Sequence, residues 1–328
     1  MKKSVYSAAF LRTAFLRSVA LFAVSLWLTG CGDTTPQPNS NAGATAPRFL
    51  VIFSQCNNAE PYRAAQNKRM TELFSAHPEV KLVVLDGQAD AAKQVAQIEN
   101  SIRQKPHLLI VAPLQRDALT RVMGDAMKAG IPTLCLERDI VEPHYTSWIR
   151  CDNFEIGKLA GQWMVDHLIT KHGSPKGSLV EIRGMQGVEG AINRHAGAHS
   201  ILTNHPQIRV IHDATANWFQ PLAMDRMTEA LNAHPSGIDI VFAHNDPMAY
   251  GAYLAAREKG REKEMVFVGV DGLPHEGARY VAEGVLGVTF EYPLCVDKAV
   301  EIGLRLLKEP GYKPESTYLM PSKIIARP

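Results

Sequence analysis

The chain has 328 residues, 46% of them hydrophobic and 21% charged, which is too long for one small core and suits two lobes. Its 35 basic residues face 33 acidic ones, for a net charge of +2. No basic stretch of the body stands out, so a nucleic-acid partner is excluded.

The chain begins "MKKSVYSAAFLRTAFLRSVALFAVSLWLTGC". Lys2, Lys3, Arg12 and Arg17 form a positive flank. Val19 to Leu28 is nearly all apolar, far short of the roughly 20 residues that span a membrane. This layout predicts a signal peptide over residues 1–30. The ending "LTGC" resembles the bacterial lipobox, which implies cleavage before Cys31 and lipidation of its sulfur and new amino group. The alternative is an ordinary signal peptide with a chance cysteine. Without the leader, 31 basic residues face 33 acidic ones, or −2. The rest of the tether, "GDTTPQPNSNAGATAP", has no periodicity and no aliphatic larger than Ala. It cannot bury enough surface to fold, so residues 31–47 read as a lipidated Cys and a flexible spacer.

From residue 48 short apolar runs alternate with amphipathic stretches. "RFLVIFS" leads to a helix through "RAAQNKRMTELFSAH", then "VKLVVLD" to a helix through "AAKQVAQIENSIRQ". "PHLLIVAP" precedes a helix through "DALTRVMGDAMKAG", followed by "IPTLCLERD" and "YTSWIRCDN". Runs this short and rich in Val, Ile and Leu suit strands buried on both faces. The alternation predicts βαβ units and a parallel sheet. The pattern then restarts. Asp152 or Asn153 can cap a helix that places Ile156, Leu159, Ala160, Trp163 and Met164 on one face. Strands "SLVEIRG", "IRVIHDAT", "IDIVFAHND", "MVFVGVDG" and "LGVTFEYP" follow, with helices between them. A last helix through "CVDKAVEIGLRLLKEPG" stops at Pro310 and Gly311, ahead of "STYLMP".

In parallel α/β sheets, ligands sit beyond the carboxyl ends of the strands. Those positions hold Asn58, Tyr62 and Arg63, then Glu137 and Arg138, then Arg194. Trp218, Asn245, Asp271 and Glu291 follow. Carboxylates accept from paired hydroxyls, while Arg and Asn donate to hydroxyl and ring oxygens. Tyr62 and Trp218 offer flat faces to the C–H side of a ring or chain. Such a set fits a sugar or polyol. Three arginines against Glu137, Asp271 and Glu291 favour an uncharged ligand over a phosphate. Asp246 also reads as a cap for a helix starting at Pro247.

Residues 48–328 resemble the type I periplasmic sugar-binding proteins, in their ribose/galactose-binding branch. "VLDGQADAAKQVAQIENSI", "LLIVAPLQRDAL", "AGIPTLCLERD", "CDNFEIGKLAG", "VFAHNDPMAYGA" and "VFVGVDG" stand in that family's order. The resemblance implies two Rossmann-like α/β lobes joined by three crossings and closing on a ligand about a hinge. It implies a first lobe of residues 48–149 plus 292–318 and a second of 150–291 plus 319–328. Glu137 and Arg138 match the family's acidic-Arg pair, Arg194 the Arg at a helix start, and Trp218 the stacking aromatic. Asn245 matches the Asn of "ND", Asp271 the Asp of "GxDG", and Glu291 sits where ribose binders have Gln. The implied protein is a monomer without cofactor or catalysis. It captures a sugar or polyol outside the cytoplasmic membrane, held there by its lipid, and hands it to an ABC permease. The alternative is a binding protein that docks on a chemoreceptor or histidine kinase. Glu137 in place of Asp, and a first-strand loop without paired aromatics, turn the expectation away from ribose itself.

An enzyme is disfavoured by motif. "GMQGVEG" is not G-x-G-x-x-G, and neither G-x-x-x-x-G-K nor G-x-S-x-G occurs. His195 and His199 stand four apart on one helical face, but no third ligand lies nearby in sequence, so no metal site is expected. Cys56, Cys135, Cys151 and Cys295 lack the spacing of a disulfide scaffold, and a Cys151–Cys295 bridge is not favoured.

Overall fold

A computed structural model describes residues 47–327 of the chain. The expected signal peptide, Cys31 and the tether up to residue 46 lie outside the described residues. The first α/β run is β1 (Phe49–Gln55), α1 (Pro61–Ser75), β2 (Val80–Asp86), α2 (Ala91–Arg103), β3 (Leu108–Val111), α3 (Arg116–Lys128), β4 (Thr133–Leu136) and β5 (Ser147–Cys151). The second is α4 (Asn153–His172), β6 (Gly177–Arg183), α5 (Glu189–Leu202), β7 (Ile208–Thr215), α6 (Gln220–Ala233), β8 (Ile240–Ala243), α7 (Asp246–Glu258), β9 (Val266–Asp271), α8 (Gly277–Glu283) and β10 (Val288–Glu291). The chain then returns through α9 (Val296–Lys308) and β11 (Thr317–Met320) to β12 (Ile324–Ala326).

The strands form two six-stranded sheets, ordered β11-β5-β4-β3-β1-β2 and β12-β10-β9-β8-β6-β7. Every residue of β3, β4 and β8 is buried, as apolar runs covered by helices on both faces require. Pairing is parallel except at β12, which returns antiparallel to β10. The fold is thus α/β, with two mainly parallel sheets. The expected lobe boundaries after residues 149 and 318 fall inside strands. β5 stays paired in the first sheet through Cys151, and β11 pairs with it through Met320.

Local signals account for the helix that opens the second lobe. The Asp152 carboxylate accepts from the Glu155 N–H at 3.0 Å, and the helix ends at Gly173 with φ +70°. This α4 packs tightly on α5. A side chain at Gly197 would place its Cβ 2.0 Å from the Phe154 carbonyl oxygen, so only glycine allows the approach. The contact sets the position of Arg194, three residues earlier on α5.

The reading of Asp246 as a helix cap needs correction. Asp246 is not the cap of α7; the Asn245 side chain caps it, accepting from the Met248 N–H at 3.0 Å. Asp246 turns into the protein, where it accepts from the Gly272 N–H at 2.7 Å and the Thr289 hydroxyl at 2.6 Å. The four described cysteines are buried and free, with the Cys151 and Cys295 sulfurs 3.7 Å apart where two crossing segments meet.

Candidate functional site

In each sheet the strand order reverses at one point, around β1 in the first and β6 in the second. Loops that leave these switch points diverge and open a crevice. The segment after β1 supplies Glu60, Tyr62 and Arg63; the segment after β6 supplies Val188, Gly190 and Arg194. Glu137 and Arg138 follow β4, Trp218 follows β7, Asn245 follows β8, and Asp271 ends β9. Together with Tyr292 they line one cavity between the two sheets.

The first-lobe wall is built on a buried ion pair. Arg63 Nη1 donates to Glu137 Oε2 at 2.6 Å, with the two side chains 2% and 6% exposed. The other oxygen, Oε1, accepts from the Tyr292 hydroxyl at 2.8 Å. Burial alone would raise the Glu137 carboxyl, but Arg63 and Arg138 outweigh it and hold the group below its ordinary range. Arg138 donates to the Leu114 carbonyl at 3.3 Å and lies 3.8 Å from Glu137. Tyr62 donates to the Pro293 carbonyl at 2.8 Å, and its ring meets that of Tyr292 at 5.2 Å.

The second-lobe wall centres on Arg194. Its Nε donates to Asn153 Oδ1 at 2.9 Å, its Nη1 to the His244 carbonyl, and its guanidinium lies over the rings of Tyr292 and Trp218. The Trp218 ring lies against Gly184, where an added Cβ would fall 2.0 Å from a ring carbon. Asn245 donates to the Trp218 carbonyl at 3.2 Å.

Asp271 differs from all of these. It lines the cavity at 6% exposure, and among the described residues no hydrogen bond reaches its carboxylate. Burial pushes its carboxyl well above the usual carboxylate range, with Arg194 pulling the other way. Its backbone sits at φ +128°, while Glu137 and Trp218 sit at +67° and +75°. Three strained non-glycine residues, drawn from both walls, line this one cavity, which singles it out as the candidate site. The Trp218 indole N–H and Arg63 Nε are buried without a hydrogen-bond partner among the described residues, with Nε 3.9 Å from Glu60. A cavity with a free carboxylate and free donors can hold hydroxyls from both sides.

Two expected residues do not reach the cavity. Asn58 is exposed, held by Asn67 on α1, because Asn57 closes a tight turn by accepting from the Ala59 and Glu60 N–H groups at 3.0 and 3.1 Å. Glu291 points away, 4.0 Å from Lys323. Successive side chains of an extended segment face opposite sides, and Tyr292 faces the cavity. Sequence reasoning missed Tyr292 and Glu60. With Glu60 in place of Glu291, three arginines still face three carboxylates. The cavity volume is about 20 Å³, room for about one water. A ring-sized solute therefore enters only when the lobes part or these side chains swing aside.

The expectation that no third ligand accompanies His195 and His199 is overturned. Glu181 of β6 lies between them, brought there by tertiary packing from fourteen residues away in sequence.

A family described as "Periplasmic binding protein domain" matches residues 51–311. The ribose import binding protein of Salmonella typhimurium is 31% identical over 75% of this chain and 80% of its own length. A xylitol-binding protein of Mycolicibacterium smegmatis is 28% identical over 92% of this chain and 82% of its own. Among solved structures, the fructose-binding periplasmic domain of a hybrid two-component system superposes with a TM-score of 0.78. It is 32% identical and covers 85% of this chain and 91% of that one. The family match, the relatives and the two-sheet architecture agree: the chain belongs to the type I periplasmic binding proteins, a family of solute-binding proteins that are not enzymes.

Proposed function

We propose that this protein captures an uncharged sugar or polyol between its two lobes and delivers it to an ABC permease. The observation that carries this is the Asp271 carboxylate, left without a hydrogen bond among the described residues in a cavity lined by three arginines. Paired hydroxyls satisfy such a carboxylate, and a balance of three arginines and three acids suits a neutral ligand. The ligand-contacting set is Tyr62, Arg63, Glu137, Arg138, Arg194, Trp218, Asn245 and Asp271, joined by Glu60 and Tyr292. Ligand favours the closed form, and closure presents both lobes to the permease. The lipid on Cys31 and the tether up to residue 47 hold the protein at the membrane, outside the cytoplasm.

Thermal unfolding against pentoses, hexoses, furanose-rich disaccharides and C4–C6 polyols tests this. A ligand at a thousand times its Kd adds about 4 kcal/mol, which is readily seen. One clear hit supports the proposal; a flat panel from folded protein overturns it. The resemblance to a two-component periplasmic domain favours sensing as a second function. Uptake of the hit into vesicles carrying the permease, dependent on this protein, supports delivery. Tight binding without uptake supports sensing.

Binding should also strengthen as pH rises. Hydroxyls donated to Asp271 stabilise its charged form, whereas burial raises its pKa in the free protein. Binding therefore expels a proton, and affinity falls as pH drops below the free-protein pKa. That fall should begin above the ordinary Asp value of about 3.9. Calorimetric titration across pH checks this; affinity that stays flat down to about pH 4 excludes Asp271 as a ligand contact.

A further inference from the structure

Glu181 of β6 is nearly inaccessible, with 1% of its side chain exposed. Two imidazoles meet its carboxylate from α5. His195 Nδ1 lies 2.9 Å from Oε1, and His199 Nε2 lies 2.8 Å from Oε2. The two histidines are one helical turn apart, and their rings are 4.0 Å between centroids. All three ligating atoms fall within 4.8 Å of one another. Behind them, the buried His244 places Nε2 3.0 Å from Oε1 and orients the carboxylate. In front, His195 borders a separate cavity of about 380 Å³ shared with Arg183, Asp213 and Thr215. The Arg183 charge is taken up by Asp213 at 2.7 Å.

We propose that Glu181, His195 and His199 form a binding site for a divalent transition cation of the zinc class, separate from the solute cavity. Two imidazole nitrogens and one carboxylate oxygen are the donor set such ions prefer, with water in the fourth position. Calcium and magnesium are disfavoured, because they demand six or more oxygens and one carboxylate supplies two at most. About 30% of each α5 histidine is exposed, so an ion reaches the site from solvent. None of the three residues lines the solute cavity. An ion here would pin α5, which carries Arg194, to the sheet beneath it.

The alternative is a hydrogen-bonded cluster in which each imidazole donates to Glu181 and no metal is held. Titration of the purified, chelator-stripped protein with Zn²⁺ and Co²⁺ separates the two. One equivalent should bind saturably, and Co²⁺ should give the visible bands of a four-coordinate nitrogen–oxygen complex. His199→Gln, at a partly exposed position, should lower metal affinity more than about 100-fold, and His244→Gln about 10–100-fold. Solute binding by His199→Gln without metal should be unchanged. No saturable binding, or binding that survives the double variant H195Q/H199Q, overturns the proposal. Glu181→Gln leaves a buried cluster half satisfied, so the histidine variants carry the test.

Discussion

Asp271→Ala should abolish ligand-induced stabilisation while leaving the free protein folded and at least as stable. In the free protein the residue is 6% exposed and its carboxylate has no hydrogen-bond partner among the described residues, an arrangement that opposes folding. Alanine removes that penalty, and the backbone strain at φ +128° is common to both residues. On ligand binding, the same carboxylate gains two charge-assisted hydrogen bonds of about 1.5–3 kcal/mol each. Their loss lowers affinity by roughly 10²–10⁴-fold. Thermal unfolding with and without the ligand measures both effects at once. Full ligand stabilisation in the variant would place the solute elsewhere.

Arg63→Ala should have the larger effect on the fold itself. Arg63 and Glu137 are both buried and 2.6 Å apart. Removing the arginine leaves the buried carboxylate with only Arg138 at 3.8 Å and the Tyr292 hydroxyl, with an expected loss of up to about 3–5 kcal/mol. The pH dependence carries a sign. In the native protein Glu137 is held below its ordinary pKa, so its contribution is present above the unfolded value and lost as pH falls through the folded one. In Arg63→Ala the largest cause that lowers the Glu137 pKa is gone, so that pKa rises relative to the native protein. The variant's deficit should then shrink on acidification, as Glu137 takes up a proton. Urea unfolding at pH 7 and at pH 5 checks this. A double variant, Arg63→Met with Glu137→Leu, should recover most of the stability without recovering solute binding. Equal deficits at both pH values would show that lost packing, and not the orphaned charge, explains the single variant.

The fold was legible because its signals are local. Apolar runs such as "LLIV" and "IVFA" announce strands covered on both faces, and their alternation with amphipathic helices announces a parallel sheet. Most cavity residues were legible for a related reason. Glu137, Arg138, Asn245 and Asp271 directly follow or end strands, and strand ends in this architecture converge. Glu291 shows the limit. The strand-end rule selects the neighbourhood, but a shift of one residue along an extended segment reverses the side chain, and Tyr292 takes the position instead. Asn58 fails for a similar reason: a turn built on Asn57 carries it to the surface.

By itself, then, the sequence determined the two-lobed α/β architecture, the capped helices and the polar ends of the strands. All follow from periodicity and from contacts within a few residues. Tertiary structure alone decided which charges pair and which stay free. Arg63 finds Glu137 across 74 positions, Asp246 turns to Thr289 across 43, and Asp271 finds no hydrogen-bond partner among the described residues. It also decided that Glu181 stands between His195 and His199. Pairing energies and pKa shifts depend on distances of a few ångströms and on burial, and neither is a function of separation along the chain.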